Sequence, residues 1–179
     1  MKTNTHFIFT TVNVLFWIVF IGLCIKTGAL LFSFFVSLFI NPAGSQNLYS
    51  GLNLSGLHHF SRHNYISIMS LLIALSALKA YMAFLVIQIF QKIDLSQPFN
   101  VMVSKLINNI SEVALGAGIL AIIAEGYAKW LYKKSPDIGN LHQYFDNGSE
   151  FLFLAGIIFV IAQIFKKGVE IQSENELTV

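Results

Sequence analysis

Apolar residues gather in four long blocks, separated by shorter stretches that carry most of the polar and charged positions. The cleanest block runs from Asn64 to Phe90 and holds one charge, Lys79, near its middle. As a helix rising 1.5 Å per residue it would reach roughly 40 Å, more than the ~30 Å hydrocarbon core of a bilayer. A core helix in water rarely needs that length, so the block predicts a membrane span.

The block from His6 to Ile40 is broken by Lys26 and Gly28. A span starting at Phe7 reaches the far boundary near Lys26, because 19 residues of helix cover roughly 28 Å. Residues 29–40 then either prolong a tilted helix or turn along the surface. Asn41-Pro42 is a stop, since proline disfavours helix in the residue before it. The polar, glycine-containing stretch from Ala43 to Arg62 reads as an external loop with room for a short helix.

Beyond the second span, Asp94 to Phe99 reads as a turn, with Ser96 as cap and Pro98 in the first helical turn. Phe99, Met102, Val103, Leu106, Ile107 and Ile110 then recur at helical spacing and lead into a third span. That helix would be about 55 Å long and project beyond the bilayer. Trp130 and Tyr132 beside Lys129, Lys133 and Lys134 form an interfacial belt. A fourth span follows Glu150 and is closed by Lys166-Lys167. The expected fold is therefore an all-α integral membrane protein, one membrane domain over residues 1–179. It is a four-transmembrane-helix bundle with spans near 7–40, 64–91, 98–133 and 150–167. An external loop joins helices 1 and 2, and a polar C-terminal tail covers 168–179.

Composition agrees. The chain is 55% hydrophobic and 11% charged, against ~25% charged in an average soluble domain. A net charge of +2, with no basic stripe, argues against direct nucleic-acid binding. The single Cys24 excludes an internal disulfide and reads as a small buried hydrophobe. The first apolar run is far longer than the 7–15 residues of a signal core, so a retained span is expected. Four spans place both termini on one side. That side carries Lys2, Lys92, Lys105, Lys166 and Lys167, against Arg62, Lys129, Lys133 and Lys134, a lean towards cytoplasmic termini.

The run Ile161-Ala-Gln-Ile-Phe-Lys-Lys-Gly168-Val-Glu-Ile-Gln-Ser-Glu-Asn-Glu-Leu-Thr-Val179, with Pro98-Phe99, resembles the bacterial membrane family called domain of unknown function 2975. LNLSGLHHFSRHNYISIMSLL and EGYAKWLYKK also look like its Bacteroidetes-type members. The resemblance implies a four-span protein of the bacterial inner membrane. It brings no catalytic residues and no cofactor. It also implies an indirect link to a small helix-turn-helix regulator of the Cro type, beside which relatives are often encoded.

Intramembrane charges are expensive and usually face the bundle interior or water. If spans two and three form a hairpin centred near Ser96, Lys79 and Glu112 fall at similar depth. The same construction puts Lys26 and Glu125 near the far face. Two charge layers are expected, Lys79 with Glu112 and Lys26 with Glu125. Each reads either as an ion pair fixing helix register or as part of a polar cavity for an ion or small ligand. For Glu125, Lys129 one turn later is an alternative partner within one helix. Ser76, Ala80 and Ala83 on one helix, and Ala114 and Gly118 on the next, read as close-packing positions, with homodimerisation as the other use.

His59 and His63, four residues apart, are the weak metal candidates, with His58 or His142 available as further ligands. Zinc needs three or four ligands, so solvated interfacial histidines are the plainer reading and no metal is expected. A histidine cluster also suits pH sensing. Gln172, Glu174, Asn175, Glu176 and Thr178 read either as a solvated end or as a partner-docking segment. The function expected is a non-enzymatic regulatory, sensing or scaffold component that contacts the lipid bilayer and binds a protein partner or forms a homo-oligomer. The alternative is a small oligomeric transporter or channel using Lys79 and Glu112. A membrane enzyme ranks last, for want of a paired-carboxylate, nucleophile or ligand-spaced motif.

Overall fold

A computed structural model describes residues 2–94, 98–135, 138, 141, 144–145 and 148–176, with side chains described from 7 to 174 among them. It contains five α-helices, α1 (Lys2–Phe39), α2 (Ser55–Phe60), α3 (Arg62–Lys92), α4 (Val101–Lys134) and α5 (Gly148–Glu176), and a 3-10 turn at Pro42–Ser45. No strand occurs among the described residues. Four helices, all but α2, are long and apolar enough to cross a membrane. Their outward faces carry large apolar side chains such as Phe32, Phe39, Ile123 and Phe153, which suits lipid as the solvent.

The long helices pack as a row in which α1 lies on α3, α3 on α4, and α4 on α5. Among the described residues no comparable seam closes α1 onto α5. Each seam has its own chemistry. Phe9 and Phe16 meet Phe90 at 5.6 and 6.0 Å between ring centroids, and Phe20 meets Phe84 at 5.7 Å, so α1 is held largely by aromatic contact. Both α3 and α4 bury small side chains, Ala80 and Ala83 on the first and Ala114, Ala117, Ala121 and Ala124 on the second. Small side chains let helices approach closely where lipid offers no hydrophobic drive to associate. On α5, Leu152 seats against Gly118, where a Cβ would come within 2.8 Å of the Leu152 side chain. Ala114 and Gly118 are thus spent on packing within this chain.

The helix ends follow from local chemistry. Ser61 caps α3, its hydroxyl accepting from Asn64 N. Asn100 caps α4, its side-chain oxygen accepting from Val103 N at 2.8 Å. The cap therefore lies at Asn100, and Pro98 precedes the helix, because an amide oxygen two residues past the proline satisfies the first free N–H groups. Ser96 lies outside the described residues.

Two stretches left open by the sequence are decided here. Of the two courses open after Lys26, α1 takes the prolonged helix and runs on without a break to Phe39. The loop after it holds the short helix α2 and packs against the bundle. Leu48, Leu52, Leu54 and Leu57 are buried with Leu30, Tyr65 and Leu131 in the largest apolar cluster. Leu48 N donates to Leu52 O, Leu54 N to Ser45 O, and Ser33 Oγ to Leu48 O. Ser50 and Gly51 take positive φ of 48° and 83°, which turns the chain back towards the bundle. At the other end, the polar segment after Lys167 continues α5 in helical form to Glu176. Lys167 and Glu170 pair at 3.0 Å along it.

Candidate functional site

Because α1 and α5 flank α3 without closing on one another, a gap remains over the middle of α3. The turn at Tyr49–Leu52 closes it at one end, and Tyr144 and Phe145 border it on the α5 side. The result is a cavity of about 330 Å³. Its floor comes from Leu72, Leu75, Ser76 and Lys79 of α3 with Ala121 of α4, and its walls from Lys26 and Leu30 of α1 and Phe151 of α5. The two lysines lie in the middle third of their helices. They are close enough for the Lys26 charge to act on Lys79.

Lys79 Nζ stands 5.2 Å from the centroid of the Phe151 ring, a cation–π contact. A second cleft of about 250 Å³ adjoins it, bordered by Lys79, Glu150, Phe151 and Leu154. Among the described residues no carboxylate forms an ion pair with Lys26 or Lys79. The site is therefore cationic, half apolar and set at membrane depth. A charged side chain at that depth costs about 2.5–3.5 kcal/mol on insertion scales. Two of them in one cavity leave a demand for negative charge.

The structure does not bring Lys79 and Glu112 together. Asn108 Nδ2 donates to Glu112 Oε1 at 2.6 Å, on the exposed stripe of α4 that includes Leu115 and Ile119. The reason is azimuth. Tyr127 donates to Asn64 Oδ1 at 3.0 Å, and counting along the hairpin from that contact leaves Lys79 and Glu112 at similar depth. They nevertheless leave their helices in different directions. Lys26 and Glu125 are not joined either. Glu125 pairs with Lys129 one turn along its own helix. Lys26 lines the cavity with Lys79 because α1 continues past it, which makes it a mid-helix residue. The two lysines form one cluster and not two layers.

The His58 and His59 rings meet edge-on at 6.1 Å. His58 packs edge-on against Tyr65 at 4.8 Å, while His59 and His63 are exposed. Among the described residues no three His, Cys, Asp or Glu side chains come together as a metal site. His142 and Thr178 lie outside the described residues. Gln172 and Glu174 sit on the last turns of α5, and Asn175 and Glu176 continue its backbone. Cys24, read as buried, is exposed on the outward side of α1.

Sequence reasoning passed over Lys26 as a partner of Lys79, and missed Tyr49, Tyr144 and Phe151 as wall residues. The only signal for the first was that both lysines interrupt apolar blocks.

Residues 37–179 match the family described as Protein of unknown function (DUF2975). The chain belongs to that family. The matched region contains Lys79 and all of α3, α4 and α5, and leaves Lys26 on the unmatched part of α1. In this DUF2975 protein the cavity is thus built across the boundary of the matched region. Comparison with curated proteins found no match, and neither did comparison with solved structures.

Proposed function

We propose that this chain is a non-enzymatic regulatory or sensing protein of the bacterial inner membrane that takes up an anion between Lys26 and Lys79. The single observation behind this reading is the shared cavity, in which two intramembrane ammonium groups face one space with no described carboxylate paired to either. Anion binding there relieves their mutual repulsion and restores charge balance in a medium that tolerates little net charge. Occupancy also ties α1 to α5, the two helices without a seam of their own. A ligand can shift a conformational equilibrium only through such differential contact.

In this reading the ligand-dependent position of α5 reaches a protein partner through Gln172, Glu174, Asn175, Glu176 and Thr178, on the cytoplasmic side with both termini. Ser76 and Lys79 share the cavity one turn apart, and Ser76 Oγ is already engaged by Thr27 Oγ1 at 2.8 Å, which supports a binding role over a catalytic one. Flux is the weaker reading, since Glu112 is turned away from the cavity.

The test is equilibrium binding of acetate and inorganic phosphate to the purified full chain in a neutral detergent. Saturable binding that disappears in the Lys26→Met/Lys79→Met variant, and persists in Glu112→Gln, supports the reading. Binding of neither anion, or binding indifferent to the two lysines, overturns it.

A further inference from the structure

We infer that the ligand of the two-lysine cavity is a single-chain anionic amphiphile, a carboxylate or comparable acid head on one alkyl chain. This rests on the anion-binding reading above and adds the chemical class. Three features carry it. The first is the lining, which is divided. Lys26, Lys79 and Ser76 present charge and a hydroxyl, whereas Leu30, Leu72 and Phe151 present apolar surface directly beside them. A small inorganic anion would leave that apolar surface unused, while an alkyl chain covers it.

The second is access. Among the described residues the row α1–α3–α4–α5 has no seam between its outer members, which leaves the cavity a sideways opening between α1 and α5 towards the lipid. A ligand already dissolved in the bilayer can enter without crossing water. The third is size. About 330 Å³ lies at the lower end of the ~300–1,000 Å³ of ligand pockets. That holds a head and one chain segment, not the two chains of a phospholipid. The adjoining cleft at Leu154 offers the chain an exit along α5. Glu150 borders that cleft and sets a local negative charge near Lys79.

Isothermal titration of the full chain in neutral-headgroup micelles with acetate, hexanoate, octanoate and decanoate tests this. The Lys26→Met/Lys79→Met variant serves as the blank for micelle partitioning. Referred to the ligand free in water, the expected result is affinity rising by up to roughly fourfold for each methylene buried, then levelling once the cavity is filled. Decanol, which lacks the charge, should show no lysine-dependent binding. Leu72→Trp, which narrows the cavity and keeps both lysines, should flatten the chain-length dependence. Glu150→Gln should raise decanoate affinity.

Acetate and decanoate binding equally, both through the lysines, would overturn the amphiphile and leave the anion site standing. Displacement of decanoate by phosphatidylglycerol at equal concentration would overturn the single-chain class. Lysine-independent binding of every probe would remove both readings.

Discussion

Thr27 Oγ1 and Ser76 Oγ meet at 2.8 Å across the α1–α3 seam. Thr27 is the neighbour of Lys26, and Ser76 lies one turn before Lys79, so this contact sets the relative level of the two lysines. Thr27 Oγ1 also lies 2.8 Å from Leu23 O of its own helix, so the seam contact and the helix carbonyl compete for one proton. Interhelical hydrogen bonds in membranes average about 0.6 kcal/mol and reach about 1.7. Thr27→Val and Ser76→Ala should each lower stability by about 0.5–1.5 kcal/mol. Their double-mutant cycle should return a coupling of about 0.6 kcal/mol, measured by reversible unfolding in mixed micelles. Additive effects would mean that the contact does not hold the seam.

The α4–α5 seam depends on the absence of a side chain at Gly118. A Cβ there would stand 3.0 Å from Leu152 N, which cannot swing aside as a side chain can. Gly118→Ala should therefore destabilise by about 1–3 kcal/mol through overpacking. Gly116→Ala, two residues away with nothing within 4 Å of its Cβ, should be neutral or stabilising through helix propensity. Thermal unfolding of the two variants side by side decides the matter. Equal shifts would argue against close approach of α5.

Near the C-terminal end of α5, Gly168 lies against the ring of Phe99, leaving no room for a Cβ. Phe99 also packs on Phe165 at 5.3 Å. Gly168→Leu should loosen the last turns of α5, seen as faster proteolysis after Lys166 and Lys167. Adding Phe99→Ala should restore protection, because the obstructing ring is then gone. Failure of the second substitution to rescue the first would place the defect elsewhere.

Asn13 Oδ1 is buried on α1 without a hydrogen-bond partner. An unsatisfied buried acceptor costs about 1–3 kcal/mol, more of it recovered where no water can reach. Asn13→Leu should raise the midpoint of thermal unfolding. A lower midpoint would show that the amide has a role beyond the fold.

Much of the architecture was legible because bilayer thickness constrains it. The ends of α3 fell within two residues of the expected span, since Ser61 caps it and Lys92 closes it. The start of α4 was displaced by three residues, because the choice between Ser96 and Asn100 depends on where the turn lets an oxygen reach the free N–H groups. The packing of the loop at 43–62 was hidden for a different reason. Its leucines alternate with polar residues, so average polarity hid four buried side chains. The choice left open at Lys26, between a boundary and a prolonged helix, went to the helix because one charge in a long apolar helix can be accommodated by a cavity as well as by a boundary.

The sequence by itself determined that this is an α-helical membrane protein with four long spans, because chain length, hydropathy and backbone hydrogen bonding leave a bilayer few solutions. It also determined which charges lie within apolar stretches. Only the tertiary structure decided their partners. Depth can be counted in residues, but the direction in which a side chain leaves its helix relative to a neighbour depends on packing of the seams. The aromatic seam between α1 and α3 and the close packing of α4 on α5 bring Lys79 beside Lys26 and leave Glu112 on the outer face.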